Sequence, residues 1–584
     1  MDSSAVAESA PTPAELTLAG NLRARYPYLI LLIAIVLAGA ALRAGAWHHW
    51  RTGAIESEGA EYARIAENLR EGRGYVGIST PGTQLTFPPL FPTLIAAASL
   101  STHNDYELAA RLVSLLFGVL LPLPVFGIAL RLFNCRTAAV AALMTTLFPM
   151  LVNLSFTAFS EGPYITVLLS AVYLALRAFD RPSILSWSLT GGAFGLAYLT
   201  RQEAIVPLSV AVLLGLIARD VALGVKLKRA AAALAVFILF ALPQILLIYN
   251  LTGKLRLEGR STILYAWGMG EQAAWGRASS GANEALFHEA DYDSANSIND
   301  RLEPTGAGMR SNADLIRDTH VRVRDLVPYF AEGVRRNTPD LLANLRERWL
   351  GAPFLPALAL LGAVRRPWPR RTVFQHLFFI LVPTTAVMAT FAAARGAYVR
   401  HYFVLTPFLL IWGASGLVEV ARWINRNVPV VTHWNSGWGP GALVSGFIVI
   451  VMLSYASKDT RNLFTFREGS TETQGAKDVG IWIQQQQAGR VRIMDLLDTV
   501  AFHADADFVH FPSCNADLAI RYIEKEKTDY LILRQGAFDQ PRYYKDWLQS
   551  GIPDARAQLV HATAEGDPSR ILVFRWNRLV TNRQ

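Results

Sequence analysis

Apolar stretches long enough to cross a bilayer recur along most of this 584-residue chain, and no other feature constrains its fold as tightly. A hydrocarbon core about 30 Å thick needs about 17 to 25 apolar residues per helical span. Such runs fall at about 27–47, 107–130, 137–156, 162–179, 184–200, 204–218, 230–250, 350–364, 374–394, 402–420 and 441–457. In lipid the backbone must satisfy its own hydrogen bonds, so runs of this length read as helices. Composition agrees: 52% of residues are hydrophobic and only 17% charged, against about 25% charged in ordinary globular domains. An all-α polytopic bundle of about eleven transmembrane helices is expected. Pro122, Pro124, Pro243 and Pro383 interrupt the runs, which neighbouring helices can accommodate.

The net charge of +9 would fit a nucleic-acid binder, so the position of the charges decides. Short cytoplasmic loops of membrane proteins collect Lys and Arg. With the N-terminus inside, the inner turns hold Arg131 and Arg136, Arg177 and Arg181, the group Arg219, Lys226, Lys228 and Arg229, the group Arg365, Arg366, Arg370 and Arg371, then Arg422 and Arg426. The short outer loops hold only Arg201, Arg395 and Arg400. This explains the basic balance without nucleic acid and predicts a multi-pass protein of the inner (plasma) membrane, N-terminus cytoplasmic and C-terminus extracytoplasmic. The tail of residues 1–26 carries Asp2, Glu8 and Glu15 ahead of Arg23 and Arg25, unlike the basic start of a cleaved signal peptide. Cys135 and Cys514 are too few for a disulfide framework and have no partner at zinc-finger spacing.

Three segments then lie outside: loops 48–106 and 251–349 of a transmembrane unit spanning 27–457, and a tail, 458–584. The tail reads as a small α/β domain, with strands in VRIMDL, DFVHF, DYLILR and ILVFRW and an amphipathic helix in NADLAIRYIEKEK. The stretch from Asp314 to Trp349 reads as amphipathic helices at the membrane surface.

The chemistry is expected on the outer face. In the first outer loop Tyr62, Ile65, Ala66 and Leu69 share one face of a short helix, with Glu58 on that face and Glu61 one turn on. Acids in a first turn also complement the helix dipole, so position alone leaves their role open. Other outer span ends carry Ser160 with Glu161, Arg201 with Glu203, and Arg395 with Arg400 and His401. Ionisable groups at the rim of a bundle face a polar cavity or one another more readily than lipid, although snorkelling to the interface explains each one singly. The run GRGYVG spells G-x-G-x-x-G but follows a helix, not a strand, so a dinucleotide site is not expected. His503, His510, Asp505 and Asp507 read as a solvated loop between strands.

The order of these features resembles the GT-C membrane glycosyltransferases, specifically the bacterial relatives of protein O-mannosyltransferases and aminoarabinose transferases. The matching segments are Glu58, Tyr62, Ala66 to Leu69, the GRGY of Gly72 to Tyr75, PPLFP at Pro88 to Pro92, AARLVSLLFG around Arg111, FSEG around Glu161, LTRQE around Arg201, and RHYFVLTPFLLIWGASGL from Arg400. The family commonly has Asp where this chain has Glu58, which keeps Glu56 and Glu61 as alternatives.

The resemblance implies a GT-C-like bundle that moves a sugar from a polyprenyl-phosphate donor in the bilayer to an extracytoplasmic acceptor. It implies no cofactor, since the lipid-linked sugar is a substrate; no metal ligands are expected, and a divalent cation is compatible with the reading. A carboxylate would act as general base on the acceptor hydroxyl, and arginines would stabilise the departing phosphate. Glu58 is expected as base with Glu61 assisting, Arg201 and Arg400 on the donor phosphate, and Tyr62, Glu161, Glu203 and His401 in substrate binding. Competing readings are a transporter or flippase of lipid-linked saccharides and a surface-polysaccharide polymerase or ligase. Against the transporter, no internal repeat is seen and the charges cluster at span ends rather than at midplane.

The charge map makes a direct prediction. An impermeant thiol reagent added to intact cells or spheroplasts should modify Cys514 and leave Cys135 untouched until the membrane is permeabilised; labelling of Cys135 in sealed cells would overturn the topology.

Overall fold

The computed structural model describes residues 13–49, 54–55, 57–218, 221–266, 296–322, 354–364, 372–393, 403–427, 440–464, 471–487, 489–535, 541–567 and 569–578, with isolated positions between 324 and 342. The chain is mostly helical. In order its helices are α1 Pro13–His49, α2 Ser57–Arg70, α3 Leu90–Ala98, α4 Tyr106–Leu120, α5 Pro122–Leu132, α6 Cys135–Leu147, α7 Pro149–Leu154, α8 Glu161–Asp180, α9 Ile184–Thr200, α10 Ile205–Ile217, α11 Leu223–Thr252, α12 Asn312–Asp318, α13 Phe354–Val364, α14 Val373–Ala393, α15 Thr406–Asn427 and α16 Pro440–Phe464.

Each expected span falls on helix, but not every one is a single full-length crossing. Among the described residues, five stretches are long and apolar enough to cross a membrane: Pro27–His48, Tyr106–Leu132, Glu161–Asp180, Leu223–Thr252 and Phe403–Asn427. Other apolar helices, such as Cys135–Leu147, Gln202–Ile217 and Phe354–Val364, are shorter. The stretch expected at 137–156 breaks at Phe148, where the backbone turns extended and Pro149 opens α7. Proline lacks the N–H that a continuing helix would use and suits a first helical position.

The helices bury one face and leave the other apolar. Leu37, Leu213 and Leu239 are each more than half exposed, an arrangement that suits lipid and not water. Inside, one apolar core runs through Leu121, Phe148, Leu168, Phe194, Phe237, Phe378 and Phe408. Arg43 of α1 is fully buried and donates to the Ser155 hydroxyl (2.9 Å) and the Thr146 carbonyl (3.1 Å). Small residues let backbones touch: there is no room for a Cβ at Gly191 of α9 against the Ala233 carbonyl of α11, nor at Gly416 of α15 against the Leu358 carbonyl of α13. In lipid such close contacts supply much of the packing energy, because apolar area gains little by leaving an apolar solvent.

The tail begins with α17 Thr471–Gln486 and continues β1 Arg492–Asp495, α18 Thr499–His503, β2 Asp507–His510, α19 Ala516–Lys525, β3 Tyr530–Arg534, α20 Arg542–Ser550, β4 Ala557–Ala562 and β5 Ile571–Trp576. The sheet order is β2-β1-β3-β5-β4, with β1 parallel to β2 and β3 and the β3-β5-β4 half antiparallel. Side chains alternate between faces along each strand. Met494, Leu531, Leu533 and Phe574 pack under Tyr544 and Trp547, while Ile493, Tyr530, Ile532 and Val573 pack under Val479, Ile483 and Val500. Strand β4 was not among the strands expected from sequence. Its Gln558 and Leu559 are exposed, so it lacks the apolar alternation that marked the others. The amphipathic helices expected after Asp314 lie largely outside the described residues, with only α12 fully defined.

The glycine contacts are testable. Gly191→Leu or Gly416→Leu should force α9 from α11, or α15 from α13, and lower the unfolding temperature of the solubilised protein. Leucine at the exposed Gly224 or Gly446, where a Cβ meets nothing, should leave it within a degree or two.

Candidate active site

Helix α2, whose sequence gives it one apolar face, is buried almost all round from Gly59 to Ala66. On one side Tyr62 and Ala66 pack with Phe91 and Ile95 of α3 and Ala110 of α4. The Tyr62 ring meets Phe87 and Phe91 edge-on, with centroids 4.9 and 5.0 Å away, which gives the PPLFP segment its place. On the other side lies the tail domain. Arg64 donates to Asp505 Oδ1 at 2.8 Å, its guanidinium lies 5.7 Å from the Phe502 ring centroid, and Phe502 reaches into the same apolar cluster. The segment read as a solvated loop around Asp505 is thus a contact between the tail and the first outer loop.

Glu61 is 2% exposed and all its capacity is used. One oxygen accepts from the Ile78 and Ser79 amides and the Ser79 hydroxyl (2.8, 2.9 and 3.0 Å), and the other from Gln84 Nε2 (2.6 Å). Gln84 in turn accepts from the Thr86 amide at 2.9 Å and from Asn312 of the second outer loop. Beside the assisting role expected of it, Glu61 is the anchor around which loop 77–84 folds. Gly77 has no room for a Cβ because the Glu61 carboxylate occupies that space, while Gly72 and Gly74 have φ of +72° and +87°. The G-x-G-x-x-G spelling is therefore a turn followed by a carboxylate cradle.

Glu58, in the first turn of α2, lies in the electrostatic neighbourhood of Tyr62 and Arg201, and Tyr62 also feels Glu161. Burial first, then the charges of Glu58 and Glu161, hold the Tyr62 phenol well above its ordinary range, so it stays neutral. Arg201 donates to Glu161 Oε1 at 2.8 Å and Glu203 Oε1 at 3.3 Å, and stands 5.7 Å from the Tyr164 ring centroid. Arg260, from the second outer loop, approaches Glu203 at 3.8 Å. Burial alone would raise the Glu203 carboxyl, but Arg201 and Arg260 outweigh it and bring it down to about 2. Any anion that Arg201 meets therefore meets a guanidinium already balanced by two carboxylates.

Five expected site residues, Glu58, Tyr62, Glu161, Arg201 and Glu203, thus gather from three segments of the chain. Arg400 and His401 lie outside the described residues, as does Glu56. Arg260, Gln84, Asn312 and Asp505 are additions from the structure. Among the described residues no cluster of three or more His, Cys, Asp or Glu side chains has the arrangement of a metal site.

The sequence profile of the family described as dolichyl-phosphate-mannose-protein mannosyltransferase matches residues 87–249. No curated protein sequence matches the chain. Among solved structures, the Archaeoglobus fulgidus oligosaccharyltransferase aligns with a TM-score of 0.56 at 13% identity, over 87% of this chain and 69% of that one. ArnT from Cupriavidus metallidurans, bound to undecaprenyl phosphate, aligns with a TM-score of 0.53 at 13% identity, over 94% of this chain and 98% of its own. The fold is that of the GT-C glycosyltransferases. In this fold the carboxylate and arginine cluster sits where α2, α8 and α9 bring their ends together, and α2 also carries the Arg64 contact with the tail domain.

The anchoring role of Glu61 is checked by stability. Glu61→Ala removes the acceptor of four donors, of which the buried Gln84 amide is left unmatched at about 1–3 kcal/mol while Ile78 and Ser79 can turn to water. Gly77→Ala drives a methyl into the carboxylate. Both should lower the unfolding temperature and expose loop 77–84 to protease; full resistance to cleavage in both would refute the anchor.

Proposed function

We propose that this chain is an integral-membrane glycosyltransferase that moves a sugar from a polyprenyl-phosphate donor to an extracytoplasmic acceptor, with inversion and with Glu58 as general base. The observation that carries the reading is the gathering of Glu58, Tyr62, Glu161, Arg201 and Glu203 at one end of a GT-C bundle. Support comes from ArnT with undecaprenyl phosphate and from the archaeal oligosaccharyltransferase AglB, which has been captured with an inhibitory peptide and a dolichol-phosphate. Both carry polyprenyl lipids in the same fold.

The chemistry follows from charge. A lipid-linked donor keeps its phosphate at the headgroup level, so the reacting carbon must meet the protein at a bundle end. Glu58 takes the proton of the acceptor hydroxyl as that oxygen attacks the anomeric carbon and the carbon–phosphate oxygen bond breaks. The polyprenyl phosphate leaves with increased negative charge, which a preorganised guanidinium stabilises. Arg201 and Arg400 are the proposed donors to that phosphate. Arg201 has a second task, because it also fixes Glu161 and Glu203, which with Tyr62 and His401 are proposed to contact the substrates.

Incubating membranes that contain the protein with a panel of radiolabelled polyprenyl-phosphate sugars tests the class, and transfer from none of them would sink it. Glu58→Gln should cut turnover by about 10²- to 10⁴-fold with donor affinity preserved, whereas Glu58→Asp should keep part of it. Arg201→Lys retains charge but loses the planar fork that spans two partners. It should reduce turnover, and a rise in donor KM would assign the phosphate contact to Arg201 rather than to Arg400 alone.

A further inference from the structure

Asp498 stands at the start of α18 in the tail domain, 2% exposed, and neither of its carboxyl oxygens receives a hydrogen bond of normal geometry. Its neighbours across the contact between tail and first outer loop are Ser57 and Glu61 of α2. The contact itself is well built: Arg64 bridges to Asp505, Phe502 enters the Tyr62 cluster, Ile78 packs against the tail core, and Lys477 of α17 holds Glu107 of α4 at 2.9 Å. A buried carboxylate without donors, inside an otherwise complementary contact, is destabilising in its ionised form, and groups of that kind concentrate where function requires them.

The charged and titratable groups around it point one way. Glu61 spends its charge on four donors of its own loop, and Asp495 on β1 is held by Arg534 through 2.9 and 2.6 Å contacts. Arg64 is occupied by Asp505 and Glu67. His503, on the same helix as Asp498, is brought down to about 4 chiefly by burial and is neutral at physiological pH. Among the described residues, no cation pairs with Asp498. Burial first, then the nearby Glu61 charge, push its carboxyl up to about 8, and the Ser57 hydroxyl offsets only part of this.

We propose that Asp498, in its protonated form, is a positioning residue for Glu58: it seats the first turn of α2 against the tail domain, so that the base, which directly follows Ser57, is held in place. This rests on Glu58 being the base; the seating itself does not. The sign follows from linkage. The native carboxyl is raised above its unfolded value near 4, so its contribution to stability is greatest below pH 4, declines as pH rises, and is fully lost once pH passes 8. Ionised Asp498 would confront Glu61 and loosen the first turn of α2.

The experiment compares wild type, Asp498→Asn and Asp498→Ala as full-length solubilised protein between pH 6 and 10. It reads turnover, donor KM and the hydrogen-exchange protection of amides 57–70, corrected for the intrinsic pH dependence of exchange. Asn keeps the shape without the charge. It should hold wild-type turnover at pH 7, keep protection from pH 7 to 9 where the wild type loses it about tenfold, and move the alkaline decline of turnover upward by at least one pH unit. Ala should lose turnover about tenfold at pH 7 with donor KM unchanged. Superimposable alkaline limbs and protection for wild type and Asn, or an Asn variant as impaired as Ala, would overturn the proposal. If no donor supports transfer by the wild type, the glycosyltransferase reading fails, and the protection measurement still decides whether a protonated Asp498 seats α2.

Discussion

A carboxylate cut off from water must be met by donors, and loop 77–84 with Asn312 is arranged around meeting that requirement at Glu61. Two backbone amides, a hydroxyl and a side-chain amide converge on it. To deliver them, residues 77–84 must wrap over α2, which needs the missing side chain of Gly77. Through Gln84 the same network reaches Asn312 and joins the two large outer loops. The buried state of α2 follows, and so does the fixed place of Glu58 one turn earlier. An interior ion of this kind adds little net stability, but it penalises every arrangement in which its partners are elsewhere.

The second level of organisation is electrostatic. Arg201 ends α9, Glu161 begins α8, and Glu203 and Arg260 close the group from the following turn and the second outer loop. Buried as they are at the end of the bundle, these groups balance one another, two guanidiniums against two carboxylates. The fold gives the cluster its setting, because the ends of α2, α8 and α9 meet there. Glu61 and Glu203 also show how two acids in one loop-rich region take different roles: one is neutralised by dipoles, the other by cations.

Much of this was legible from sequence, and the exceptions have physical reasons. Bilayer thickness imposes a length on apolar runs, so the bundle was readable. Buried strands β1, β3 and β5 were readable because both faces are covered, whereas β4 carries exposed Gln558 and Leu559 and reads as loop. Glu161, Arg201 and Glu203 stood out because charges are rare in short outer loops. Arg260 did not, since a long loop rich in Arg and Glu offers no contrast. The anchoring by Glu61 was not legible because a helix periodicity places a side chain on a face but does not say that a loop 17 residues later will fold over it. Asp498 and Asp505 were hidden for a related reason: what makes them unusual is the α2 surface they meet, more than 400 residues earlier.

The tail's grip on α2 also sets an order of maturation. Arg64 and Tyr62 are made early, whereas Asp505 and Phe502, which complete their surroundings, are made after all the apolar helices. Until those residues have been synthesised and delivered to the same side as the first outer loop, α2 has only one of its two walls. A partly made chain already inserted in lipid therefore lacks a finished first loop, and the earliest loop of the protein is the last to be completed.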